Sequence, residues 1–218
     1  MKFFIKTYHT QSVRTYWFRK NYVIDFLAIG IVAENGSVYS AISKEFNPRY
    51  VDDKTIEEVT KHFPRHTAQT WRKKADIITG IKEFIQWETA QTNTEAELVF
   101  ESHNDFSALV ALMGGTNNAN WPVQVPKTYM NLIQSISEYI SDIDDTELVD
   151  NGNYTHIPIQ SGKPFRMYEK MDIFQSHVMY PLREYGKGAI EDARYMRDLY
   201  NFFKLVKNKK DIPQEEEL

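Results

Sequence analysis

Five cations, Lys2, Lys6, Arg14, Arg19 and Lys20, precede the first carboxylate of the chain, Asp25, and Tyr8, Tyr16, Trp17, Phe18 and Tyr22 are interleaved with them. Cations beside flat aromatic faces offer a single-stranded nucleic acid both phosphate contact and base stacking. The same residue types also make a solvated basic loop whose aromatics pack on the core, and residue types alone favour that plainer reading. Trp71 and Arg72 form a second pair of this kind. A lone tryptophan at a helix start is first of all a packing anchor, and Arg72 beside it suits either a phosphate or a surface carboxylate. A third candidate is the acidic run Glu138, Asp142, Asp144, Asp145, Glu147 and Asp150. Counted from Asp142, it lacks the glycine at the sixth position and the glutamate at the twelfth that a calcium loop requires, so it reads as a solvated acidic loop.

The chain has 218 residues, 42% apolar, 26% charged and 14% aromatic, with no cysteine. That is one soluble globular domain without disulfides, thiolate zinc sites or a cysteine nucleophile. No run approaches the roughly 18 apolar residues of a membrane helix, and Met1–Ile5 is too short for a secretory segment, so a cytoplasmic location with no membrane contact is expected. The net charge of −4 gives no sign of a bulk nucleic-acid binder. It nevertheless hides a polarity: the first 24 residues carry +5, while the other 21 cations and 30 carboxylates leave −9.

Local patterns set the scaffold. Phe3–Ile5 is a short apolar run followed by the basic loop, and Tyr22–Ala33 reads as a long buried strand. Glu34-Asn35-Gly36 predicts a hairpin turn, because Asn-Gly supplies the positive φ of a tight primed turn, and Val38–Phe46 returns as the partner strand up to Asn47-Pro48. Residues 56–62 suit a short helix. Trp71–Trp87 has helical apolar spacing at Ile77, Ile78, Ile81, Phe84 and Ile85. Leu98–Phe100 is a brief strand, Asp105–Met113 a helix closed by Gly114-Gly115, and Thr128–Ile140 a further amphipathic helix. Ala189–Lys207 closes the fold as a strong helix facing Ile190, Ala193, Met196, Leu199, Phe203 and Val206 inward. The resulting domain covers 1–207, with 141–165 an insertion or flap and 208–218 a disordered tail. This element order describes an α/β sandwich around a mixed sheet.

Phe3-Phe4-Ile5, Ile24–Gly36, Tyr39–Pro48, Gln69-Thr70-Trp71-Arg72, Asn104-Asp105-Phe106 and Ala189–Arg194 recur in the order and approximate spacing of a known family. The sequence resembles the polyadenylate-specific 3′-exoribonucleases, a branch of the DEDD exonucleases. The resemblance runs from Met1 to about Lys204 and is poorest over 141–165. It implies a ribonuclease H-like fold, a mixed sheet whose first three strands are largely antiparallel, flanked by helices. It also implies a site in which four carboxylates hold two Mg²⁺ ions and a histidine deprotonates the attacking water, since two metals must stabilise both the attacking and the leaving oxygen.

This chain departs from that pattern. The family's first pair, in Asp-Thr-Glu-Phe, falls on Lys6-Thr7-Tyr8-His9. The third aspartate falls on Asp105 and the fourth on Asp192, while the general base falls on Lys187 and a further aspartate on Asn131. Two carboxylates of four remain, and no histidine. A lysine ammonium is a poor neighbour for Mg²⁺, and a phenol does not bridge metals. Lys6 is therefore expected to replace the missing metal charge in a salt bridge to Asp105 or Asp192. His9, Asp25, Glu101 and His103 lie close enough in sequence to serve a relocated site. Each has a plainer role: solvated or hydrogen-bonded loop histidines, a residue the family carries without a metal role, and a strand-end carboxylate.

The expected function is that of a catalytically degenerate 3′–5′ exonuclease-like protein that takes no cofactor and binds single-stranded RNA or DNA, or a protein partner. Arg14, Trp17, Arg19 and Lys20 would border the cleft, joined by Trp71 and Arg72. The alternative is an active exoribonuclease with a rearranged Mg²⁺ or Mn²⁺ site on Asp105 and Asp192. Relatives of the family associate as dimers, so a homodimer is a further expectation.

Overall fold

Phe3, Phe4 and Ile5 are all fully buried, which places the start of the first strand at the centre of a sheet covered on both faces. The computed structural model describes residues 1–16, 19–47, 71–115, 121–122, 125–143, 167–177, 179–183 and 188–207. Strand β1 (Lys2–Tyr16) pairs antiparallel with β2 (Arg19–Ala33), and β2 pairs antiparallel with β3 (Val38–Ser43). The Asn-Gly turn forms as its residue types predict: Gly36 has φ +95°, and the Ser37 amide donates to the Asn35 side chain at 3.0 Å.

The basic segment predicted as a loop is instead the far half of a continuous hairpin, with Thr10↔Asp25, Arg14↔Asn21 and Tyr16↔Arg19 as rungs. Thr10, Val13, Thr15 and Tyr16 are β-branched or aromatic residues that favour a pleated strand even without a run of apolar neighbours. Between Tyr8 and His9 the register slips, because Tyr8 faces Ala28 while His9 faces Phe26. Leu27 is the extra residue of a β-bulge, a device that bends a strand and re-aims the side chains after it.

Trp71–Arg72, expected to open a helix, forms the short strand β4 beside Ile42–Ser43, and helix α1 begins after it (Lys74–Thr92). Strand β5 (Glu97–Phe100) runs parallel to β1, followed by helix α2 (His103–Leu112) and strand β6 (Tyr129–Asn131) parallel to β5. The sheet order is β4-β3-β2-β1-β5-β6. This mixed sheet, antiparallel across its first three strands and parallel beyond, has the ribonuclease H-like α/β form expected. The segment predicted as a helix from Thr128 starts as β6 and turns helical only at Leu132, as helix α3 (Leu132–Asp142). Helix α4 (Met167–Gln175) was not anticipated, and helix α5 (Ala189–Lys207) has the predicted limits.

Contacts divide the chain into two compact units, 1–131 with 183–197 and 132–182 with 198–218. In the first, Ile77, Ile81 and Ile85 of α1 and Leu109 of α2 pack against Phe3, Ile5, Ile29, Ile31 and Phe100. Each such fully buried side chain contributes about 1.5–3 kcal/mol. In the second, the Phe174 ring meets Phe203 at 5.3 Å, Phe203 meets Tyr139 at 6.2 Å, and Lys170 donates to the Ile143 carbonyl at 2.6 Å. The predicted helix at 56–62, most of the 141–165 insertion and the 208–218 tail lie outside the described residues.

Candidate functional site

The site is built where β1 outruns its neighbour. Strand β5 ends with Phe100 opposite Ile5, which leaves the Thr7 amide of β1 without a strand partner on that side. Asp105, in the first turn of α2 and 2% exposed, fills the gap. Its Oδ1 accepts the Thr7 amide at 3.2 Å and the Thr7 hydroxyl at 3.1 Å, and its Oδ2 accepts the Ser102 hydroxyl at 2.8 Å.

Lys6 Nζ reaches Glu101 Oε2 at 2.7 Å and Asp105 Oδ2 at 3.4 Å. The predicted pair with Asp105 is therefore present but is the longer of two, and Glu101 is the nearer partner. Asp192 is held otherwise: it accepts the Tyr8 hydroxyl at 2.9 Å and faces Arg183 Nε at 3.5 Å. Arg183 also grips both oxygens of Glu101 as a fork and lies 5.2 Å over the Tyr195 ring. A glycine makes this arrangement fit. Gly30 is the cross-strand partner of Lys6, and a Cβ there would fall 2.3 Å from the Ala189 carbonyl carbon. Only a residue without a side chain lets the start of α5 come this close to β2 and carry Asp192 to Tyr8.

Electrostatics follow from the packing. Burial works to lower the Lys6 pKa, but Asp105, the bonded Glu101 and nearby Asp192 outweigh it and raise the ammonium above the ordinary lysine value. Burial works to raise Glu101, yet the hydrogen bonds from Arg183 and Lys6 hold it below the usual carboxylate value. His9, half-buried with Nδ1 3.4 Å from the Thr7 hydroxyl, is pushed down by burial and by Lys6 against the pull of Asp105.

The two-metal centre that the fold family implies can be tested against this donor set. Each carboxylate oxygen of Glu101, Asp105 and Asp192 already faces a donor from Lys6, Arg183, Tyr8, Thr7 or Ser102. Two protein cations stand among three carboxylates, so a pair of divalent ions would leave a large uncompensated positive charge. The residues do not fit that group. Among the described residues no three His, Asp and Glu side chains are grouped to hold a metal ion.

Other predicted positions lie elsewhere. Trp71 and Arg72 sit on the β4 edge, three strands from β1, with the Trp71 ring 6.4 Å from Phe46 and the Arg72 guanidinium 5.8 Å over Tyr39. Asp25 ties β2 to α1, accepting Lys74 Nζ at 3.1 Å and the Asn47 amide at 2.7 Å. His103 opens α2 and shares a 2.7 Å hydrogen bond with Tyr129, while Asn131 ends β6 beside Phe100. Arg14, Arg19 and Lys20 belong to the hairpin strands. Trp17 and Lys187 lie outside the described residues. Sequence reasoning missed Arg183, which no motif flags, and undervalued Glu101. The usable signal for Glu101 was its place at the carboxyl end of a parallel strand, where α/β folds gather their functional groups.

No protein-family model matches the chain. It is 31% identical over 72 residues to a 3′-5′ exoribonuclease known from two strains of Mycobacterium tuberculosis, CDC 1551 and H37Rv. The match covers 33% of this chain and 43% of those relatives' length. Fold and match together support a distant, exonuclease-like relationship. In the described residues no helix is long and apolar enough to cross a membrane.

Proposed function

We propose that this chain is a catalytically degenerate relative of 3′-5′ exoribonucleases that holds single-stranded nucleic acid without hydrolysing it. The observation that carries the reading is the Lys6 ammonium, 2.7 Å from Glu101 and 3.4 Å from Asp105. It supplies, with Arg183, the positive charge that metal ions bring to such carboxylates, and it needs no cofactor. Tyr8, bonded to Asp192, is a hydroxyl donor and not a bridging ligand. The basic hairpin carrying Arg14, Arg19 and Lys20 supports nucleic acid as the bound species, because phosphate affinity scales with the cations that neutralise it.

The test combines two measurements on the full chain. Isothermal titration with Mn²⁺ and Mg²⁺ should give no stoichiometric binding, and a 3′-labelled RNA should bind with strong salt dependence and keep its length. Metal-dependent shortening abolished by Asp105→Ala or Asp192→Ala would establish the second reading, an active exoribonuclease with a rearranged metal site. That reading is favoured by the 3′-5′ exoribonuclease activity for which the relatives are named and by the presence of Asp105 and Asp192.

A further inference from the structure

Along α2, where it meets Ile24 of β2, lies an open groove of about 500 Å³ lined by Ile24, His103, Phe106, Ser107, Val110, Ala111 and the glycines that end the helix. We propose that this groove is a base-binding subsite for one nucleotide of a single-stranded nucleic acid. The inference rests on the proposed nucleic-acid reading and adds where a base is held.

Three observations carry it. The volume falls within the range of small-ligand sites, roughly 300–1,000 Å³, and the lining is apolar with few polar groups, which is how such sites are built. Phe106 is fixed as a floor by its stack on Tyr129, with centroids 4.3 Å apart at 24°. His103 stands at the rim with Nδ1 bonded to Tyr129, which leaves Nε2 to address a base edge, and the Ser107 hydroxyl is a second polar group on the same helix. A flat apolar ring with a polar edge matches that distribution.

Charge then selects the occupant. The groove lining contains no carboxylate, although the domain is acidic outside its first 24 residues. Ile24 is the rung opposite Gln11, and Arg14, Lys20 and Arg19 occupy the rungs beyond it on the same two strands. At about 3.3 Å per residue the Arg14 rung lies roughly 10 Å further along the arm. A strand with one base in the groove would thus have its flanking phosphates near the basic part of the hairpin, whereas an acidic or apolar protein segment would use only one of the two features.

The test is binding of a fluorescent single-stranded RNA and its DNA counterpart to the full chain at about 50 mM salt, where phosphate contacts are strong. Ala111→Trp and, separately, Ser107→Leu fill the groove without changing charge, and thermal unfolding verifies that each variant folds. The expected result is at least a tenfold loss of affinity in both with the salt dependence retained, and competition by adenosine or uridine monophosphate against the labelled strand on the wild type. No binding to the wild type at any salt would remove the nucleic-acid reading itself. Wild-type binding that both variants preserve would overturn the groove alone. If instead an apolar helical peptide binds the wild type but not Ala111→Trp, and the oligomer is unaffected, the groove is a protein-docking site and the proposal is overturned.

Discussion

Lys6 and Glu101, 95 positions apart in the chain, meet at 2.7 Å where β5 ends and its parallel neighbour β1 runs on. Both side chains are mostly buried, at 17% and 16% exposure, so little solvent screens them. Lys6→Met would leave Glu101 and Asp105 with less counter-charge in a poorly hydrated place. The expected loss is about 3 kcal/mol, as for breaking a buried pair by removing one partner. Urea denaturation of Lys6→Met, Glu101→Gln and the double variant checks it: the double variant should cost less than the sum of the singles, by about 1–3 kcal/mol. Strict additivity would mean that the two groups do not act on one another.

The same contacts set the acid limb of stability. The pKa of Glu101 is lower in the folded chain than when unfolded, so its contribution is fully present above the ordinary carboxylate value and is lost as pH falls through the folded value. His9 acts in the same direction at higher pH. Its folded pKa lies below the ordinary histidine value, so stability declines as pH falls from about 6.5 toward that folded value. Lys6 is opposite: its raised pKa gives stability that is full below the ordinary lysine value and lost as pH rises through the folded one. Thermal melts from pH 3 to 8 should show two acid-side declines. Glu101→Gln should flatten the lower and His9→Gln the upper.

Gly30 permits the approach of α5, and its replacement tests how the site is assembled. In Gly30→Ala the new methyl would meet the Ala189–Ile190 peptide at 2.3–2.5 Å, too close for any side-chain rearrangement to relieve. The start of α5 must retreat from β2, drawing Asp192 away from Tyr8. A loss of about 1–3 kcal/mol is expected, in the range of overpacked core positions. Tyr8→Phe removes the same Asp192 hydrogen bond without the clash and should cost only about 1 kcal/mol. A Gly30→Ala variant as stable as the parent would show that α5 does not approach as described.

Much of this architecture was legible because it rests on local rules. Asn35-Gly36 dictates a turn, the isoleucines of α1 repeat at helical spacing, and Ala189–Lys207 carries one apolar stripe with charge opposite. The basic arm was misread because its residues alternate without an apolar run, and pairing between the two strands decided their conformation over polarity. Trp71 was placed in a helix for a similar reason, since whether a short apolar segment joins a sheet edge depends on β3 being there to receive it. Within the cluster, Asp105 and Asp192 were singled out only by what the family resemblance implies. The Glu101–Arg183 fork was not, because it joins residues 82 positions apart and arises only once both are folded.

Writing the four carboxylates of the 3′-exoribonuclease pattern into this chain provides the last prediction. If Lys6 and Tyr8 exclude divalent ions by charge and by chemistry, Lys6→Asp with Tyr8→Glu should add two carboxylates to Asp105 and Asp192, and the four should repel one another in the absence of metal. Arg183 would still neutralise part of that charge through Glu101 and Asp192, so the triple variant with Arg183→Leu should respond most. The expected outcome is a melting temperature that is depressed without metal and rises with Mn²⁺ in the double and further in the triple variant, because a ligand bound only by the folded state stabilises it in proportion to RT ln(1 + [L]/Kd). The parent should show no such rise. A parent that gains as much as the variants would place a metal site in the chain as it stands and remove the basis for reading Lys6 as a substitute for one.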